Sequence, residues 1–186
     1  MPTYTETKMK DSAYYKEEIT VPETVRFEID DKIKFSRDNM KLEKKLPGAN
    51  IVIQKADKKI ILFSNKKSRK YKRELYTTLA HIKNMIAGLN KPFLYCLKVC
   101  SGHFPMSVKL EGNNLIISNF LGEKIPRRAI ILPDVKLTIN GDQITVESHN
   151  LEAAGQTAAN IERATVIRNR DRRIFQDGIY ITEKPQ

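Results

Sequence analysis

Between positions 168 and 173 the chain reads Arg168-Asn169-Arg170-Asp171-Arg172-Arg173, four arginines in six residues. An aromatic follows at Phe175, then Asp177-Gly178 as a turn into the short apolar run Ile179-Tyr180-Ile181. Arginine is permanently charged and offers a planar fork of donors that suits phosphate oxygens. A fixed turn beside such a cluster predicts a shaped basic surface for a polyanion rather than a loose basic tail.

Three further segments have matching chemistry. Lys66-Lys67-Ser68-Arg69-Lys70-Tyr71-Lys72-Arg73 stands at the head of an expected helix. Cations oppose the dipole there, and a bound anion would relieve the repulsion, although a solvated helix face is the plainer reading. Asn119-Phe120-Leu121-Gly122-Glu123-Lys124-Ile125-Pro126-Arg127-Arg128 reads as a loop after a strand, with Gly122 and Pro126 setting its path and Lys124, Arg127 and Arg128 projecting. Gly155-Gln156-Thr157-Ala158-Ala159-Asn160 belongs to a second helix. There Gln156, Thr157 and Asn160 could reach phosphates, ribose hydroxyls or base edges, and Gly155 would let a backbone come close.

Catalytic constellations are hard to assemble. His81, His103 and His149 have no metal-ligand spacing, and Cys96 with Cys100 cannot complete a zinc site with them. No glycine-rich phosphate loop, nucleophile elbow or strong carboxylate pair is present. Asp171 and Asp177 are conceivable nuclease acids, but Asp171 sits among arginines, where an ion pair is expected. No cofactor or metal is implied. An RNA-processing enzyme or nuclease acting on structured RNA remains the alternative to a pure binder; a DNA regulator would need a helix-turn-helix or zinc pattern that the sequence lacks.

The composition fits a polyanion partner. Lys+Arg 33 against Asp+Glu 22 gives a formal charge of +11, which bears on partners rather than on fold. Nucleic acid leads, with an anionic membrane surface second. On a strand, Cys96 and Cys100 would stand about 13 Å apart, too far for a disulfide, so two buried thiols are expected. The sequence has neither an apolar run of spanning length nor a signal-peptide pattern at its start, so a soluble intracellular protein is expected.

The elements that must position these residues follow one plan twice. Val25, Phe27 and Ile29 alternate with polar residues before a turn at Asp30-Asp31, then Ile33 and Phe35 alternate again. Val135, Leu137 and Ile139 do the same before Asn140-Gly141, followed by Ile144 and Val146. Period-two alternation around a turn predicts a hairpin with one buried face. Leu75, Leu79, Ile82 and Ile86 predict one helix, ended by Gly88 and Pro92; Ala154, Ala158, Ile161 and Thr165 predict another, capped by Ser148 or Asn150. His81 falls at the edge of the first stripe. Further strands are expected at 51–54, 60–63, 93–100, 106–110 and 115–119. The fold class is therefore α+β: two similar domains, residues 1–90 and 91–186, each an antiparallel sheet packed against a helix.

The words Asn119-Phe120-Leu121-Gly122-Glu123-Lys124, Gly155-Gln156-Thr157-Ala158-Ala159-Asn160-Ile161-Glu162 and Arg170 through Tyr180, with His103-Phe104-Pro105-Met106-Ser107-Val108, resemble the signature segments of the large-subunit ribosomal protein six family, archaeal/eukaryotic branch. The Arg-Asp-Arg-Arg-Ile-Phe wording is closer to the archaeal members. The likeness runs from Val21 to Lys184; the C-terminal words are specific, whereas the N-terminal half matches by plan. It implies an internal duplication and a structural role in the large subunit, in the cytoplasm. It further implies binding to large-subunit ribosomal RNA, chiefly by the C-terminal domain, near the sarcin–ricin loop and the translation-factor site, with other ribosomal proteins as neighbours.

Carried onto this chain, the RNA contacts are Lys124, Arg127, Arg128, Gly155, Gln156, Asn160, Arg168, Arg170, Arg172 and Arg173. Lys66, Lys67, Arg69 and Lys70 are added from the basic helix head. Phe175, Asp177, Gly178 and Tyr180 are expected to hold the C-terminal turn. The first twenty residues, Tyr14 and Tyr15 among them, match no motif.

Overall fold

The computed structural model describes residues 15–30, 32–38, 40–45, 51–56, 59–64 and 66–185; Tyr14 and the turn residue Asp31 lie outside them. The chain divides into two compact units, Met1–Leu89 and Asn90–Gln186. Each is α+β with its own core.

The first unit contains β1 (Tyr15–Thr20), β2 (Arg26–Ile29), β3 (Lys32–Arg37), β4 (Met40–Lys45), β5 (Ile51–Ala56), β6 (Lys59–Ser64) and α1 (Arg69–Asn90). Its strands form two antiparallel sheets, ordered β2-β3-β4 and β1-β6-β5. The alternation in β2 and β3 puts Phe27 opposite Phe35, both buried, with ring centroids 6.1 Å apart. The α1 stripe of Leu75, Leu79, Ile82 and Ile86 is buried in one cluster with Phe35, Ile60 and Leu62. Each such side chain removed from water contributes about 1.5–3 kcal/mol.

The second unit contains β7 (Phe93–Cys100), β8 (Ser107–Glu111), β9 (Asn114–Ser118), a 3-10 turn (Phe120–Gly122), β10 (Arg127–Ile130), β11 (Lys136–Asn140), β12 (Gln143–Ser148), α2 (Leu151–Ala164) and β13 (Gly178–Glu183). The sheets run β10-β9-β8 and β11-β12-β7-β13, again antiparallel. The α2 helix lies on β7, β12 and β13 and touches β10. Fully buried Ala154 and Ala158 beside Ile161 let it approach closely. Asn150 caps it, its side-chain oxygen accepting the N–H groups of Glu152 at 3.0 Å and Ala153 at 3.4 Å.

The two units share an order: a strand, a three-stranded meander, a hairpin, then a helix. The pairing of pieces differs from the one expected from hairpin patterns. The 25–35 hairpin, β2–β3, corresponds to β8–β9 in the meander, while the 135–146 hairpin, β11–β12, corresponds to β5–β6. Half-buried hairpins alternate alike, so periodicity alone cannot say which copy matches which. A better signal was Ser64 and Ser148, each buried at the end of the strand before the helix. Ser64 Oγ donates to the Lys66 carbonyl and Ser148 Oγ to the Asp134 carbonyl, while each also accepts the N–H two residues on.

Two other expectations are corrected. Arg127 and Arg128 stand on β10 rather than on a loop, paired with Ile117 and Ile116 of β9. Pro126 before this short strand and Pro133 after it masked it. Cys96 and Cys100 are free thiols on β7, as far as connectivity goes, but half-buried rather than buried. Burial pushes the Cys96 thiol up, and Glu183 beside it adds to the shift.

Candidate nucleic-acid interface

The turn between β9 and β10 is built against backbone preference. Asn119, Leu121 and Gly122 all take positive φ, at 60°, 50° and 78°. Left-handed backbone at a leucine costs about 1–2 kcal/mol. Burial of Leu121 and of Phe120 against the core offsets that cost, and Asn119 Nδ2 donates to the Pro105 carbonyl at 2.9 Å. The buried Phe120 ring then offers a face to Arg127, whose guanidinium lies 4.2 Å from its centroid.

Arg127 is the most committed cation of the unit. Its Nε and Nη2 donate to the two carboxylate oxygens of Glu123 at 2.8 and 2.6 Å. Its Nη1 donates to the carbonyls of Ala164 and Val166 at 2.9 and 3.0 Å. Expected from sequence to meet phosphate, it latches the 119–127 turn to the end of α2. Glu123, which the residue-by-residue reading missed, is held below the usual carboxylate range first by the Arg127 hydrogen bond, with Arg127 and Arg170 adding charge. The signal was there: opposite charges four residues apart. Arg170 of the arginine loop is within electrostatic reach of Glu123.

That loop is ordered by its own contacts. Arg173 donates to both oxygens of Asp171, with Nη2 at 2.8 Å, and its backbone N–H adds another bond at 2.9 Å. These bonds hold the Asp171 carboxyl down, so the expected ion pair is present. Arg170 lies over Phe175 at 4.9 Å, and Phe175 in turn faces His103 at 4.8 Å. Arg168 and Arg172 are exposed and form no ion pair among the described residues.

The base of the loop is tied to the β7–β8 connection. Buried Asp177 accepts the N–H of Gly102 at 2.6 Å and of His103 at 3.2 Å, and its Oδ1 lies 3.3 Å from His103 Nδ1. Burial alone would raise this carboxyl, but the bonds from Gly102 and His103 outweigh it and hold it low. Tyr180 closes the turn, its hydroxyl donating to the Gln176 carbonyl at 3.1 Å. Thr165, buried at the end of α2, accepts the Ile179 N–H at 2.9 Å.

A carboxyl depressed in the folded state lends stability that is complete above its unfolded value of about 4 and is lost as pH falls through the folded value. Asp177→Asn is therefore expected to melt below the parent at neutral pH, with the gap closing as pH falls below about 4. A gap that stays constant as pH falls in thermal melts would refute this linkage.

The remaining candidates fall into three groups. Lys124 and Arg128 are exposed. Arg128 and exposed Ile130 share the outer face of β10, opposite Arg127 and buried Ala129. On α2, exposed Gln156 donates to Asn160 Oδ1 at 2.8 Å, and Asn160 Nδ2 donates to the Ile130 carbonyl at 3.0 Å, so this pair joins the helix to β10. Gly155 has an internal reason to be glycine: a Cβ there would stand 2.9 Å from the Tyr95 hydroxyl, so the close approach is by Tyr95. Arg127 and Asn160 thus join β10 to the second half of α2, whereas Gly155 lies nearer the start of the helix, against Tyr95 of β7.

Lys66, Lys67, Arg69 and Lys70 belong to the first unit and are all exposed at the start of α1. The helix has no acidic residue in its first turn. Tyrosine faces take up some of this charge, with Lys66 over Tyr71 at 5.7 Å, and Lys72 over Tyr15 at 5.8 Å and Tyr76 at 5.9 Å. Tyr15, unplaced from sequence, therefore sits on β1 beside the basic helix. No helix among the described residues is long and apolar enough to cross a membrane, and no metal-holding group of His, Cys, Asp and Glu occurs among them.

Comparison with known proteins points to one family. The family model described as ribosomal protein L6 matches residues 104–178, which run from Phe104 through the arginine loop. The large ribosomal subunit protein uL6 of Sulfurisphaera tokodaii is 42% identical over 170 residues, 90% of this chain and 91% of that protein. The uL6 of Methanococcus vannielii is 41% identical over 176 residues, 93% of this chain and 96% of its own. That of Archaeoglobus fulgidus is 45% identical over 135 residues, 73% of this chain and 69% of its own.

Proposed function

The chain belongs to the ribosomal protein L6 family, and from that premise we propose that its second unit holds large-subunit ribosomal RNA near the sarcin–ricin loop, beside the site that translation factors visit. As a family member it is a structural constituent of the large ribosomal subunit in the cytoplasm, associated with ribosomal RNA and other ribosomal proteins, and not an enzyme.

One observation carries the assignment to the second unit. Arg168 and Arg172 keep their charge uncompensated on a loop whose other members are pinned by Asp171, Phe175 and Asp177. A rigid loop spends little entropy when it meets phosphates. Lys124 and Arg128 extend the same positive surface. Recognition of this kind is phosphate contact and shape, because A-form RNA shows its backbone and 2′-hydroxyls rather than a readable major groove.

Hydroxyl-radical footprinting of protein-free large-subunit RNA with the whole chain tests the location. Protection is expected in the helices flanking the sarcin–ricin loop, and it should fade as salt rises. Protection confined to other regions of the RNA would overturn the location.

A further inference from the structure

Beside the arginine loop lies an open hollow of about 640 Å³. Among its lining residues are Ile174, 64% exposed, Tyr180, 42% exposed, and His103. Ser101 and Gln176 supply polar groups to its lining, and so does the buried carboxyl of Asp177. No aliphatic side chain of the loop is as open to water as Ile174, and it stands among arginines rather than in a core. The His103 ring is backed by Phe175, which Arg170 covers on its own account, so the wall is stiffened from behind.

The charges around the hollow are segregated. Burial pushes the Tyr180 phenol up, with Cys100 and Asp177 adding to the shift and the positive charge of Arg172 opposing it. Arg172 is exposed two residues before the lining residue Ile174, while the Asp177 carboxyl in the lining is buried. A phosphate or a carboxylate inside would meet the Asp177 carboxylate. A neutral, flat group with a polar edge, carrying its phosphate outside, meets neither penalty.

We propose that this hollow receives one unstacked nucleobase of the bound RNA, its faces against Ile174 and Tyr180, its edge toward Gln176 and Ser101, and its phosphate at Arg172. The proposal rests on the reading that the second unit binds ribosomal RNA. Single-stranded or bulged nucleotides offer their bases in this way, and stacking tolerates any sequence because every base has a π-face.

The test uses the whole chain and protein-free large-subunit RNA. Ile174→Ser should weaken binding about tenfold while leaving the slope of affinity against salt unchanged, because no phosphate contact is removed. In the same complexes, reagents that modify unpaired base edges should find one nucleotide protected by the parent chain and exposed again by the variant. Gln176→Ala, at an exposed position, gives a second reading should the serine variant melt early.

If both variants bind as the parent does while Arg168→Ala with Arg172→Ala loses affinity, the base site is wrong and the RNA surface stands. If none of them changes binding, the RNA surface itself is wrong. A loss seen only with subunits that keep their proteins, and absent with bare RNA, would make the occupant a protein segment and overturn the proposal.

Discussion

Alanine at both Arg168 and Arg172 is expected to lower affinity for protein-free large-subunit RNA between about tenfold and a hundredfold at moderate salt, or roughly 1.4–2.8 kcal/mol. The salt dependence should change with it. Each phosphate contact removed takes about one unit from the slope of log affinity against log salt. Two lost contacts should therefore flatten the line by about two units. The fold should not notice, because both side chains are exposed and form no ion pair among the described residues. Surface changes of that kind stay within about 0.5 kcal/mol. Unchanged affinity with an unchanged salt slope would remove the arginine loop from the interface. Arg173 is a poorer target, since Asp171 already occupies its fork.

Much of this architecture was legible because periodicity reports burial directly. The stripe Leu75, Leu79, Ile82, Ile86 is buried as spaced, and so is Ala154, Ala158, Ile161, Thr165. The strand over 93–100 has the predicted bounds. What periodicity could not supply was correspondence between copies, because β2–β3 and β11–β12 show the same alternation in different sheets. Edge strands were also obscured. In β4, Met40 and Leu42 alternate with Lys41 and Glu43, a pattern set by the half-buried edge position and hidden among surrounding lysines. β1 was hidden in a segment with few apolar residues, yet it pairs along its whole length with β6.

The site was legible in type more than in role. A run of Arg, Lys, Gln and Asn says that anions and polar edges are met, but not which donors are already spent. Lys124 and Arg128 are exposed at the surface, whereas Asn160 and Gln156 hold each other and β10. Gly155 makes room for Tyr95. These distinctions depend on partners far away in sequence, such as Asp177 with Gly102 and Arg127 with Ala164. One chain without its fold has no record of them.

The clearest case is Arg127, for which the geometry makes a prediction opposite to that for a phosphate contact. Arg127→Ala should destabilise the second unit by about 2–4 kcal/mol, through loss of charge-assisted bonds to two carbonyls and of its contact with Phe120. Glu123 adds less, since its side chain is 41% exposed and water screens the pair. For a unit of this size about 2 kcal/mol lowers the melting temperature by at least roughly 8 °C. Arg127→Lys should not restore it, because a single ammonium cannot span the Glu123 carboxylate and two carbonyls at once. Measured below its melting temperature, the alanine variant should bind RNA with the parent's salt slope, because no phosphate contact is lost. A variant that melts like the parent and loses one unit of slope would instead make Arg127 an RNA ligand. Stability and salt dependence therefore separate the two roles of an arginine that sequence alone renders identical: the latch that ties the 119–127 turn to the end of α2, and the hand that holds the phosphate.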